Sequence, residues 1–90
     1  MTRTVRVRVS GEVQGVGFRV YAAREAVRLG LVGWVRNEPD DTVVAHLEGP
    51  DEAVAEMLDW CRRGSPAARV TDVEVDEAEP TGAGSFRVDH

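Results

Sequence analysis

Ninety residues, 42% of them apolar and 30% charged, are expected to make one domain spanning residues 1–90 around a single modest core. No stretch approaches the about 20 apolar residues of a membrane span or the layout of a secretory signal, and a lone Cys61 supports neither a disulfide framework nor a multi-cysteine zinc site, so a cytoplasmic monomer with no membrane partner is expected. A net charge of −5 with 6% aromatic residues lacks the clustered positive charge and stacking rings of a nucleic-acid surface, and the positive field is confined to residues 1–45, where seven Arg meet five acids, against four Arg and eleven acids beyond.

Val5, Val7 and Val9 alternate with Arg6 and Arg8, the period of a strand with one buried face. A glycine-rich loop follows, Gly11-Glu12-Val13-Gln14-Gly15-Val16-Gly17-Phe18-Arg19. From Arg19 the spacing becomes helical: Val20, Ala23 and Val27, with Ala22, Ala26 and Leu29, form an apolar stripe, and Gly30 is placed as the C-terminal stop. This predicts a first helix over roughly 19 to 29.

Val32 to Asn37 reads as a second strand, Glu38-Pro39-Asp40-Asp41 as a tight turn, and Thr42 to Glu48 as a third strand whose Val43, Ala45 and Leu47 share a face. The two are expected to pair as a hairpin. His46 falls on the opposite face and is expected to meet solvent. The adjacent Asp40 and Asp41 lack a third ligand for a metal and read as solvated turn residues.

Gly49-Pro50-Asp51 opens a second helix, with Asp51 and Glu52 complementing its N-terminal dipole. Val54, Met57, Leu58 and Cys61 recur at helical spacing as its buried face, and Gly64 ends it. Trp34 and Trp60 read as packing residues. Val73 and Val75, alternating with Asp72, Glu74 and Asp76, predict a fourth strand, and Ser85 to Val88 a short fifth, after a loose stretch from Glu79 to Gly84.

The element order β-α-β-β-α-β predicts an α+β ferredoxin-like sandwich, with two helices on one face of a mostly antiparallel sheet and a possible short fifth strand. A right-handed crossover makes the first two strands parallel. The second strand then ends, at Asn37, on the same sheet edge as the glycine loop.

That placement suggests a chemistry. Glycines let consecutive backbone N–H groups turn inward, a helix N-terminus adds free donors, and Arg19 can grip a phosphate bidentately, while the Asn37 amide can hydrogen-bond a water or a phosphate oxygen. The loop holds no Cys or Ser nucleophile, and no His pairs with a carboxylate beside it. The substrate must therefore carry its own good leaving group. An acyl phosphate does: its carboxylate, with a pKa of about 4, departs at neutral pH without a general acid, which leaves the protein only to position water and stabilise phosphoryl charge.

The glycine loop closely resembles the signature loop of the acylphosphatases, and the likeness extends through Gly33-Trp34-Val35-Arg36-Asn37, Glu48-Gly49-Pro50, Arg69-Val70 and Phe86-Arg87-Val88. The resemblance implies hydrolysis of acyl phosphates to carboxylate and inorganic phosphate, with the phosphoryl group on the backbone of Gly15, Val16, Gly17 and Phe18, Arg19 holding the substrate, and Asn37 orienting the attacking water. It implies no cofactor and no metal, and inorganic phosphate or sulfate as competing anions. The family usually has Asp-Gly in the turn where this chain has Asp40-Asp41, so Asp41 is expected at a left-handed position. A non-catalytic regulatory module of the same fold is the competing reading. Such a module would not need Arg19 and Asn37 converging on a glycine cradle.

Overall fold

Alternation in the first strand is burial on one side: Val5, Val7 and Val9 are sealed in the core. The computed structural model describes residues 1–90, as β1 (Thr2–Glu12), α1 (Phe18–Arg28), β2 (Val32–Asn37), β3 (Val43–Pro50), α2 (Asp51–Arg63), β4 (Arg69–Glu77) and β5 (Phe86–Val88). The sheet order is β4-β1-β3-β2-β5. Strand β3 runs antiparallel to both β1 and β2, β4 runs antiparallel to β1, and β5 is parallel to β2. This is the ferredoxin-like βαββαβ sandwich, with a fifth strand at one edge.

The core lies between the helices and the inward face of the sheet. Val54, Met57, Leu58 and Cys61 of α2 meet Val5, Val7, Val9, Val35, Val43, Ala45 and Leu47. Each full-sized aliphatic side chain so buried contributes ~1.5–3 kcal/mol of transfer free energy. Trp60 packs obliquely on Phe18 with ring centroids 5.2 Å apart. Burial also pushes the Cys61 thiol up to about 12, so it is inert core filling. No helix is long and apolar enough to cross a membrane.

Helix α1 departs from the expected stripe. Its buried residues are Phe18, Ala22 and Ala26, whereas Val20 and Val27 are 49% and 64% exposed. Phe18, one position ahead of the expected start, fixes the rotation of the helix, and the i, i+4, i+8 row from it points inward. Strand β3 runs two residues beyond Glu48, because Thr2 and Arg3 of β1 pair with Pro50 and Gly49. Strand β4 starts at Arg69, where a register shift at Ser10/Gly11 lets β1 continue the ladder.

His46 is the larger correction. The alternation places it on the outward face as expected, yet it is fully buried rather than solvated. The segment between β4 and β5 crosses that face, and Glu48 beneath it accepts hydrogen bonds from the Thr81 N–H (2.8 Å) and hydroxyl (2.7 Å). Trp34 stacks beside the imidazole, with centroids 5.8 Å apart, and Arg6 and Arg36 lie over the indole. Arg6 Nη2 is 3.4 Å from His46 Nδ1. A guanidinium only donates, so this contact assigns Nδ1 as the acceptor and the ring proton to Nε2, which lies 3.3 Å from Glu48 Oε2 without the alignment of a hydrogen bond.

In the β2–β3 turn, Asp40 accepts hydrogen bonds from the Thr42 hydroxyl (2.6 Å) and N–H (3.1 Å), which with Arg8 hold its carboxyl below the usual range. Asp41 has φ 71°, the only non-glycine residue with positive φ. Asp41→Gly is therefore expected to stabilise the fold by up to ~1 kcal/mol in urea unfolding, with activity little changed. Equal or lower stability would show that the aspartate carries no strain there.

Candidate functional site

Two buried side chains pin the glycine loop: Val13 just past the end of β1 and Phe18 at the start of α1. Between them the chain must turn sharply, and Gly15 (φ 74°) and Gly17 (φ 76°) both take the left-handed conformation that side chains resist. Gly17 is the N-cap of α1 and no side chain caps that end, so the first-turn N–H groups and the helix dipole stay available to an anion.

A cavity of about 130 Å³ opens at this edge, lined by Gly15, Gly17, Phe18 and Arg19 from the loop and Asn37 from β2, with Val13, Val20, Val88 and His90 around them. At roughly 30 Å³ per water, it has the volume of about four water-sized groups, the scale of a phosphoryl group. Of the five loop residues expected to bind phosphate, Val16 does not line the cavity. Its side chain is half-buried against the core, leaving only its backbone to take part.

Arg19 Nη1 donates to the Asp89 carbonyl at 2.8 Å and lies 3.4 Å from His90 Nδ1. Both contacts use the same nitrogen, which leaves the Nε and Nη2 edge of the fork for a bidentate anion. Asn37 lines the same cavity. Its Oδ1 is buried and has no protein partner, which leaves one hydrogen-bond acceptor of the side chain unsatisfied. Buried acceptors are nearly always satisfied, and one at a cavity wall points to a functional partner.

Gln14 is the residue that sequence reasoning missed. Its Nε2 donates to the carbonyls of Glu38 (2.8 Å) and Thr42 (2.9 Å), the pair that closes the β2–β3 hairpin through Glu38 N–H to Thr42 O at 2.8 Å. The cradle is thereby braced to the hairpin that carries Asn37. The one available signal was a long amide side chain inside an otherwise glycine and apolar loop. His90 and the Asp89 carbonyl were also missed, because only the path of β5 brings them to Arg19. No group of three His, Cys, Asp or Glu side chains is arranged to hold a metal ion.

A ferredoxin-like sandwich with a glycine loop, an arginine and an asparagine around one edge cavity defines a small α+β protein with its candidate site at one end of the sheet. Residues 5–88 match the acylphosphatase family. The chain is 53% identical to an acylphosphatase of Nocardioides sp., over 98% of this chain and 89% of that one, and 52% identical to one from Mesorhizobium japonicum, over 96% and 93%. The crystal structure of acylphosphatase from Bacillus subtilis superimposes with a TM-score of 0.94 at 37% identity, covering all of both chains. The chain belongs to the acylphosphatase family, and its activity is the hydrolysis of acyl phosphates.

Proposed function

We propose that this acylphosphatase holds the phosphoryl group of its substrate on the backbone N–H groups of Gly15, Val16, Gly17 and Phe18 and on the guanidinium of Arg19, while Asn37 directs a water at phosphorus. The observation that carries this reading is the convergence of Gly15, Gly17, Arg19 and Asn37 on one cavity of phosphoryl size. Arg19 neutralises charge on the phosphoryl oxygens. The α1 N-terminus adds its dipole, and both are oriented before substrate arrives, which is how electrostatic preorganisation lowers a barrier.

The Asn37 amide takes one proton of the water as a hydrogen bond to Oδ1, turning an oxygen lone pair toward phosphorus in line with the departing carboxylate. The P–O bond to water forms as the P–O bond to the acyl group breaks, and the carboxylate leaves with that electron pair. The attacking water's proton ends on the phosphate product or solvent. Neither a general acid nor an enzyme nucleophile is required, because the anhydride supplies the leaving ability.

Inorganic phosphate and sulfate present the same tetrahedral oxygens to the cradle, and the protein works as a cytoplasmic, metal-independent, single-domain monomer. Inorganic phosphate is accordingly expected to inhibit hydrolysis of benzoyl phosphate competitively. Noncompetitive inhibition, or none across the millimolar range, contradicts the loop as the substrate site.

A further inference from the structure

Strands β4 and β5 lie at opposite edges of the sheet, so the segment joining them has to cross the three strands between. It does so at the end remote from the glycine loop, tied to each strand in turn. The Ala78 N–H donates to Thr4 O of β1 at 3.0 Å, Thr81 is held by Glu48 of β3, and the Gly33 N–H of β2 donates to Ser85 O at 3.0 Å. These anchors lie nearly level, Thr4 pairing with Glu48 and Glu48 with Val32.

From there β5 runs beside β2 toward the site, Gly33 pairing with Phe86 and Val35 with Val88. The Asp89 N–H then donates to Val35 O at 2.8 Å, and the Asp89 carbonyl receives Arg19 Nη1 at 2.8 Å. The strand that holds the substrate-binding arginine is three residues long. Phe86 and Val88 press it onto the core, and its own ladder to β2 is only three residue pairs long.

We propose that Glu48 and Thr81 form a clasp at the far end of the sheet that sets the register of β5 and so positions Arg19 for the phosphoryl group; the proposal rests on the assignment of Arg19 to phosphate. Glu48 suits the task because it spends both carboxylate oxygens on one residue of the strap, through charge-assisted bonds to the Thr81 N–H and hydroxyl. Burial opposes its ionisation, yet the Thr81 bonds, with His46 beside them, keep its carboxyl below the usual range. His46 fills the space under the strap, and Arg6 fixes its ring. Glu48 and Thr81 are positioning residues: neither lines the cavity.

The experiment compares Thr81→Ala with Thr81→Ser in the full chain. Thr81 is exposed, so both variants are expected to fold. Thr81→Ala is expected to weaken inhibition by inorganic phosphate about 3–10-fold, the scale of one charge-assisted hydrogen bond passed on in part. Its kcat for benzoyl phosphate should fall by no more than the same factor, since the ladder to β3 and the Gln14 brace hold Asn37 independently of the strap. Thr81→Ser keeps the hydroxyl and should match the parent. With Arg19→Gln also present, Thr81→Ala should change phosphate affinity no further, which a general loss of structure would not reproduce.

Unchanged phosphate inhibition in Thr81→Ala, or the same loss in the Arg19→Gln background, overturns the clasp alone. If Arg19→Gln by itself bound phosphate like the parent, the role of Arg19 would fall, and the clasp with it.

Discussion

Arg19→Gln is expected to raise the inhibition constant of inorganic phosphate by ~10–10² fold and to remove most turnover. The Nε and Nη2 edge of the guanidinium is unspent, its other nitrogen being anchored on the Asp89 carbonyl, so two charge-assisted bonds to the phosphoryl oxygens are lost together, each of ~1.5–3 kcal/mol before compensation by water. In the proposed role these bonds form in the ground state and strengthen as charge develops on the phosphoryl oxygens in the transition state, so affinity and rate fall together. Arg19→Lys keeps the charge but not the planar fork, and is expected to behave more like glutamine than like the parent. A lysine variant with near-parental phosphate affinity would reduce Arg19 to a point charge.

Asn37→Ala is expected to fail differently. In the proposed role its amide acts on the water rather than on the phosphoryl group, so phosphate inhibition should stay close to that of the parent while kcat drops by ~10² or more, the usual cost of one positioned transition-state hydrogen bond. Removing the side chain also deletes an Oδ1 that is buried and unpaired in the free protein, so the variant should be no less stable than the parent and circular dichroism should show it folded. A near-normal kcat in a folded Asn37→Ala chain would remove the water-directing role, whatever Arg19 does.

The fold was legible because its signals are local and periodic. The valine alternation in β1, the helical spacing of Val54, Met57, Leu58 and Cys61, and the glycines flanking both helices each stand in a few consecutive residues. They were enough to put Asn37 and the glycine loop at one edge, since a right-handed crossover leaves no other arrangement. The rotation of α1 was not legible: Val20 and Val27 are as apolar as Ala22 and Ala26, and only the seating of Phe18 decides which row turns inward.

The outward face of the sheet failed for a related reason. Alternation says which face a residue joins and nothing about what covers that face. The stretch from Glu79 to Gly84 reads as loose, and the ties of the strap it belongs to, to Thr4, Glu48 and Gly33, are all long-range. His46 therefore looked solvated and is buried. The same long-range path conceals the Asp89 carbonyl and His90 from any sequence reading of the site, whereas Arg19 and Asn37 were visible because residue type and strand end coincide.

The central claim is that one loop binds the phosphoryl group and supports turnover. A titration of the ¹⁵N-labelled chain with inorganic phosphate, followed by amide shifts, tests it most directly. The expected result is that the amides of Gly15 to Arg19 move together and saturate with the same constant that phosphate shows as a competitive inhibitor of benzoyl phosphate hydrolysis. Shifts centred elsewhere, or saturation at a concentration unrelated to the inhibition constant, would contradict it.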